Sequence, residues 1–293
     1  LAAYADPWSG PLAVWRRLDD TSYTQIATLD APATLGTTAT AFALGPTAVW
    51  DRAATLDVVL DGGTLSAPGE ARTLDGGGRA AVETLSGRWE VFQFAEAELV
   101  ATATWRLSDL LRAQAGSEDA WEGVSEIPAG RPFVLVDDRL RTLPIDRDDL
   151  GRDLVLRVGP AADPYTAASF VEVATTPTGR GLLPWSPVHL RGRLDPVSGD
   201  LAVTWVRRSR APGADTWAAV EVPLAETSEA YRLTVSRGGA VVLTVDTAAP
   251  AWTWAHADRL AALGTTPVDL TITVAELSAE LGPGVARSLA LRI

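Results

Sequence analysis

Apolar and polar residues alternate with a period of two over most of this chain, the pattern of half-buried β-strands. Leu12-Ala13-Val14-Trp15-Arg16 predicts a first strand, and Tyr23 to Leu29 a partner across the polar turn Asp19–Ser22. Ala31–Leu35, between Pro32 and Gly36, reads as a loop or an edge. Asp57–Leu60 is a strand ended by the turn Asp61-Gly62-Gly63, and Asp75–Gly78 predicts a mobile loop. In the next run Trp89, Val91 and Gln93 alternate with Glu90, Phe92 and Phe94, so both faces carry bulk, as in a strand buried on two sides. Ser108 then stands at an N-cap position, with Asp109 in the first turn and Leu107, Leu110 and Leu111 at helical spacing. With Gly116 as the stop, this predicts one short helix that only a surrounding sheet can hold.

Further strands are predicted at Leu150–Val158 and Phe170–Val173. Thr175 to Pro187 carries three prolines and two glycines and reads as a linker. From Val188 to Ile293, turn signals every ten residues or so separate alternating runs: Leu201, Val203 and Trp205; Tyr231, Leu233 and Val235; Val241–Val245; Leu270, Ile272 and Val274; Ala286–Leu291. Trp252 and Trp254 share a face, and His256–Leu263 before Gly264 fits one helical turn. The fold class is therefore mainly β. A β-rich region spans residues 1–183, with sub-lobes at 1–86 and 87–183, and a small β-sandwich spans 184–293. Alternation puts Trp205 in the sandwich core rather than on a ligand-stacking surface.

Composition narrows the chemistry. Hydrophobic residues make up 47% and charged residues 21%, a globular balance. The net charge of -12 argues against clustered phosphate contacts, so nucleic acid fits only as cargo sliding past an acidic wall. Cysteine is absent, which excludes disulfides and thiolate chemistry. Methionine is absent too, and the chain opens at Leu1, so it is expected to be a C-terminal piece of a longer polypeptide. Every basic side chain is Arg, which excludes Schiff-base lysines.

No catalytic, cofactor-binding or metal-binding residues are assigned. His189 and His256 lack partners at ligand spacing, and no Gly-x-Ser-x-Gly elbow or phosphate loop occurs. Asp146, Asp148, Asp149 and Gly151 are spaced like half of a calcium loop, but the closing position is Arg157, so a solvated acidic turn is expected. A carboxylate pair drawn from Glu90, Glu96 and Glu98, with Trp89, Trp105 and Trp121 as sugar platforms, is a weaker alternative.

The run from Arg106 to Glu118, Arg-Leu-Ser-Asp-Leu-Leu-Arg-Ala-Gln-Ala-Gly-Ser-Glu, resembles the "L-S-x-L-L-R-G-Q-R-G-T-E" signature of phage tail-tip and host-specificity proteins, among them the "megatron" baseplate protein of gene transfer agents. The Trp89–Phe94 strand before it, the Ala129-Gly130-Arg131-Pro132-Phe133-Val134-Leu135-Val136-Asp137 strand after it and Gly45-Pro46-Thr47-Ala48-Val49-Trp50-Asp51 are similar as well. Ala113 and Ala115 replace the usual Gly and Arg, and Ser117 the usual Thr. The Leu201-Ala-Val-Thr-Trp205 strand after Ser186-Pro187 resembles a fibronectin type III domain. What the resemblance implies is a tail-hub-type region followed by a fibronectin-III-like module in a virion tail tip. Such proteins assemble as a homotrimer beside hub and distal tail proteins, close the channel, contact a host receptor or glycan and envelope, and open for DNA ejection. It implies no enzyme here, since the family's glycosidase-like portion lies upstream. A carbohydrate-binding or cell-wall-degrading module and a secreted β-sandwich adhesin remain the alternatives.

Overall fold

A computed structural model describes residues 1–211, 214, 222–264 and 267–293. The chain forms two compact units, Leu1–Arg180 and Gly181–Ile293, and the fold is mainly β in both.

Unit 1 runs β1 (Leu12–Arg17), β2 (Tyr23–Leu29), β3 (Leu35–Thr38), β4 (Phe42–Ala43), β5 (Leu56–Leu60), α1 (Glu70–Leu74), β6 (Arg79–Glu83), β7 (Trp89–Ala101), β8 (Thr104–Gln114), β9 (Glu126–Ile127), β10 (Pro132–Leu135), β11 (Leu154–Pro160) and β12 (Val171–Thr175). Six of these close into an antiparallel barrel in the order β10-β3-β5-β8-β7-β6, so none of the six has a free edge. A second sheet, β12-β11-β1-β2, draws its strands from both ends of the unit. Because the barrel and this sheet each combine strands from before and after residue 86, the expected sub-lobes 1–86 and 87–183 do not exist as lobes.

The barrel interior is filled by Phe42, Leu56, Val58, Phe92, Phe94, Leu107, Leu110 and Phe133, all essentially buried. Phe92 packs between Phe42 and Phe133, with ring centroids 5.8 and 6.5 Å away. Leu35 opens a strand paired on both sides, by β10 and β5, and so belongs to the barrel wall rather than to a loop or edge. The glycine loop before β6 is held in place, not free. The Gln93 side chain donates to the carbonyls of Thr73 and Gly77, at 2.6 and 2.8 Å. Gly78 has φ 63° and lies so close to the Phe94 carbonyl that any Cβ would collide with it.

The predicted helix at Ser108–Gly116 is a strand, β8. Its apparent helical spacing has a specific cause: Asp109 is left-handed, with φ 50°, between Leu107 and Leu110. A strand without such a turn would point residues three apart to opposite faces; this one brings both leucines into the core. Ser and Asp bond locally to backbone in caps and in turned strands alike, so the cap signal was genuine but non-specific. Ala103, in the β7–β8 turn, is also left-handed, at φ 52°, and exposed. Ala103→Asn, which tolerates that conformation, is expected to stabilise unit 1 by about 0.5–1 kcal/mol, read as a higher denaturant midpoint at unchanged slope.

Unit 2 runs β13 (Val188–Leu194), β14 (Leu201–Val206), β15 (Tyr231–Arg237), β16 (Ala240–Thr247), β17 (Ala251–Trp254), α2 (His256–Leu263), β18 (Asp269–Ser278), β19 (Gly282–Pro283) and β20 (Arg287–Arg292). One sheet is β13-β14-β17; the other has β16, β15, β18 and β20 side by side, with β19 appended to β18. Apart from β19, the first, second and fifth strands thus face the third, fourth, sixth and seventh, the arrangement of a fibronectin type III-like sandwich. Trp205 is 4% exposed and meets Tyr231 edge-on with centroids 5.1 Å apart, a core anchor as its alternation predicted. The segment at His256 is a helix of eight residues, longer than one turn.

Candidate functional site

The most unusual chemistry in unit 1 lies inside the protein, on the residues of the signature run. Arg112, from β8, is 1% exposed. Its Nε and Nη2 donate to Glu90 Oε1 and Oε2 of β7, both at 2.8 Å, a bidentate fork. Its Nη1 donates to the Ala43 carbonyl at 3.0 Å and lies 3.6 Å from Asp51 Oδ2. The guanidinium stacks 3.8 Å from the Phe42 ring centroid and 5.3 Å from that of Trp121. Glu90, fully buried, also accepts the Trp121 indole N–H at 2.8 Å and the Ala113 backbone N–H at 2.9 Å. Five separate segments therefore converge on one ion pair, in which Glu90 accepts four hydrogen bonds and every guanidinium nitrogen of Arg112 donates one, the kind of pairing that lets such charges be tolerated in low dielectric.

Local backbone explains the surrounding signature. Ala113 has φ 52° and Ala115 φ 53°, followed by Gly116 at 73°. A glycine at the first of these positions, as in the signature, adopts that conformation without cost; here a buried alanine does. Ser117, almost wholly buried, accepts the Val91 N–H at 2.9 Å and donates to the Gln114 carbonyl at 2.7 Å, which ties the end of β8 to β7. The run is thus a structural joint. Sequence reading located it but assigned it the wrong secondary structure and missed the Arg112–Glu90 pair. The only available signal was an arginine and a glutamate embedded in otherwise apolar strands.

The sugar-site candidates do not assemble. Glu90 is consumed by Arg112, and Trp121 is buried against it. Trp105 packs against the barrel core, Trp89 is 36% exposed, and Glu96 and Glu98 are exposed on β7, across from Ser108 and Arg106 of β8. Within Asp146–Asp153, Arg147–Asp149 forms a 3₁₀ turn with a capping box between Asp146 and Asp149. Asp149 is bound by the Arg16 guanidinium, which together with the Asp146 N–H holds its carboxyl below the usual carboxylate range. Asp153 instead accepts the Thr176 hydroxyl. Among the described residues, no group of three or more His, Cys, Asp or Glu side chains is placed to hold a metal ion. His256 Nδ1 faces Arg259 and the Gly199 carbonyl, and His189 stands in a left-handed backbone position at the start of the sandwich.

Two further features are exposed or ionisable. A groove of about 610 Å³ in unit 1 is lined by Leu35, Ala81, Trp89, Val134, Val136 and Leu140. Leu35 and Ala81 flank Val134 as its cross-strand neighbours. In unit 2, Glu276 of β18 lies opposite Tyr231 and is 3% exposed. Around it are Glu226, paired with Arg210 at 2.8 Å, and Glu229, paired with Arg207 at 3.0 Å and accepting the Tyr231 hydroxyl at 2.6 Å. Desolvation, with the neighbouring Glu226 carboxylate, pushes the Glu276 carboxyl up to about 7.

Comparison with known proteins finds one local family match and weak likenesses to solved structures. Residues 33–134 match the family model described as "Rcc01698-like, C-terminal". That span coincides with the closed barrel, from just before β3 to the third residue of β10. No curated protein matches the chain. Among solved structures, domains d3-d4 of the rat CD45 extracellular region align at 10% identity over 54% of this chain and 73% of that one, with a TM-score of 0.29. The FN1-FN3 domains of chicken CNTN1 align at 9% identity over 97% and 91%, with a TM-score of 0.26. The comparison that bears on this chain is therefore local: its barrel is similar to the C-terminal domain of Rcc01698-like proteins.

Proposed function

We propose that this chain is the C-terminal portion of a phage-like tail-tip or baseplate protein, a structural component of a virion or gene transfer agent particle. The observation that carries the reading is the coincidence of the Rcc01698-like match with the barrel that contains the signature run. The role is mechanical. Copies of the chain surround the tail axis beside hub and distal tail proteins, close the channel, contact the host surface and open for DNA passage. The acidic surface, at a net charge of -12, suits a conduit that must not retain DNA. The engagement of Glu90 by Arg112 supports a scaffold rather than a catalyst, since the barrel's most deeply buried carboxylate is committed to packing.

Electron microscopy of native particles, with an antibody raised against unit 2, tests this directly. Label at the tail tip is expected. Antigen confined to the cell envelope or the medium, with unlabelled particles, would overturn the proposal in favour of an adhesin.

A further inference from the structure

The core-facing side of β18 does not stay apolar to its end. Leu270, Ile272 and Val274 point into the sandwich, and alternation then puts Glu276 and Ser278, 3% and 7% exposed, on the same side. Strand β15 sets Tyr231 directly opposite Glu276. The Leu277 N–H donates to the Ala230 carbonyl at 2.8 Å, so the pairing runs on past Tyr231 and brings Glu229 beside Ser278.

The charged groups around Glu276 are already engaged elsewhere. Arg207, just past β14, pairs with Glu229 at 3.0 Å and donates to the Val222 carbonyl at 3.1 Å. Arg210 pairs with Glu226 at 2.8 Å, and the Tyr231 hydroxyl donates to Glu229 at 2.6 Å. Arg287 of β20 stands opposite Val274, one pair further along. Two guanidiniums thus serve three carboxylates, and among the described residues no group donates a hydrogen bond to the Glu276 side chain. The same bonds fasten the segment Val222–Glu229 to the sandwich. It contains no helix or strand, none of its residues belongs to the core cluster, and Leu224 is 38% exposed. Charge rather than apolar burial holds it in place.

We propose that Glu276 is the trigger of a pH-sensitive latch in unit 2. While Glu276 is neutral, Arg207 and Arg210 hold Val222–Glu229 against the end of the sandwich. When it ionises, a third negative charge enters a desolvated site whose two cations are taken. Arg207 then leaves Glu229 and the Val222 carbonyl for Glu276, and the segment comes away while both sheets stay folded. Burial and the Glu226 carboxylate hold the Glu276 proton up to about 7 in the closed form. With Arg207 and water beside it in the open form, the carboxyl returns towards its ordinary 4.5. Opening therefore becomes easier as pH rises from about 4.5 to about 7, and no easier above that window.

The chain has no cysteine, so single thiols report without background. Ser278→Cys puts one beneath the segment, Val235→Cys one in the sandwich core, and Val197→Cys one at a 95% exposed turn as the reference. Labelling by an aromatic disulfide reagent, with each rate divided by that of Val197→Cys to remove thiol ionisation, reads the open fraction. Between about pH 5 and about pH 8, Ser278→Cys is expected to become at least tenfold more reactive, levelling off above about pH 7. At about pH 8 it is expected to react at least tenfold faster than Val235→Cys, which only unfolding of the sandwich exposes. Adding Glu276→Gln is expected to abolish the rise. Adding Glu229→Gln, which leaves Arg207 to Glu276 in the closed form, is expected to abolish it too. A Ser278→Cys rate that equals that of Val235→Cys, that does not change with pH, or that keeps its rise beside either glutamine would overturn the proposal.

Discussion

Replacing Arg112 with Ala is expected to destabilise the barrel by about 3–5 kcal/mol, because it leaves Glu90 buried without its counter-charge. The measurement is amide hydrogen exchange along β7 and β8 of the full chain, which reads the opening energy of the barrel itself. Isolated buried ion pairs are often replaceable by apolar residues at little cost, but this one is not isolated. In the double variant Arg112→Leu with Glu90→Leu, the Trp121 indole N–H and the Ala113 N–H, both on buried residues, lose their partners. Each buried orphan costs about 1–3 kcal/mol, so the double variant is expected to remain at least about 2 kcal/mol below the parent. Recovery of parental protection would mean that the pair contributes nothing beyond filling space.

The second large effect is a pH dependence in the sandwich. Glu276 has its carboxyl raised in the folded state, from the ordinary 4.5 to about 7. The folded chain therefore holds this proton more tightly than the unfolded chain. The contribution is favourable to folding at low pH and is lost as pH rises from about 4.5 to about 7, with no further change above that window. Fully transmitted, the shift corresponds to no more than about 3 kcal/mol, and solvent screening reduces this to roughly 2. Glu276→Gln, which is neutral throughout, is expected to be more stable than the parent by about that amount at pH 8 and indistinguishable from it at about pH 3, below the carboxyl's ordinary value. Exchange protection in β15 and β18, compared between variant and parent at the two pH values, isolates the effect. Carboxylates with lowered values, such as Asp149, Asp195 and Asp246, lose stability in the opposite direction at more acid pH, but they are common to both proteins and cancel. A variant that tracks the parent at every pH would show that the proton is not held by Glu276.

Local pattern determined much of this protein on its own. Alternation identified β1, β2, β5, the first half of β7, β11 and nearly every strand of the sandwich, because a strand with one buried face writes that face into every second residue. It also placed Trp205 in the core. Left to the tertiary structure was whatever depends on which strands meet. The closure of the barrel by β10 pairing with β6 and β3 joins residues some fifty and a hundred positions apart, and no local signal encodes such a pairing. The β8 strand was misread because one left-handed residue, Asp109, converts an alternating pattern into a helical one. The buried role of Arg112 was invisible for the same reason: a charge within an apolar strand is a defect until a second strand supplies Glu90, and only folding brings the two together.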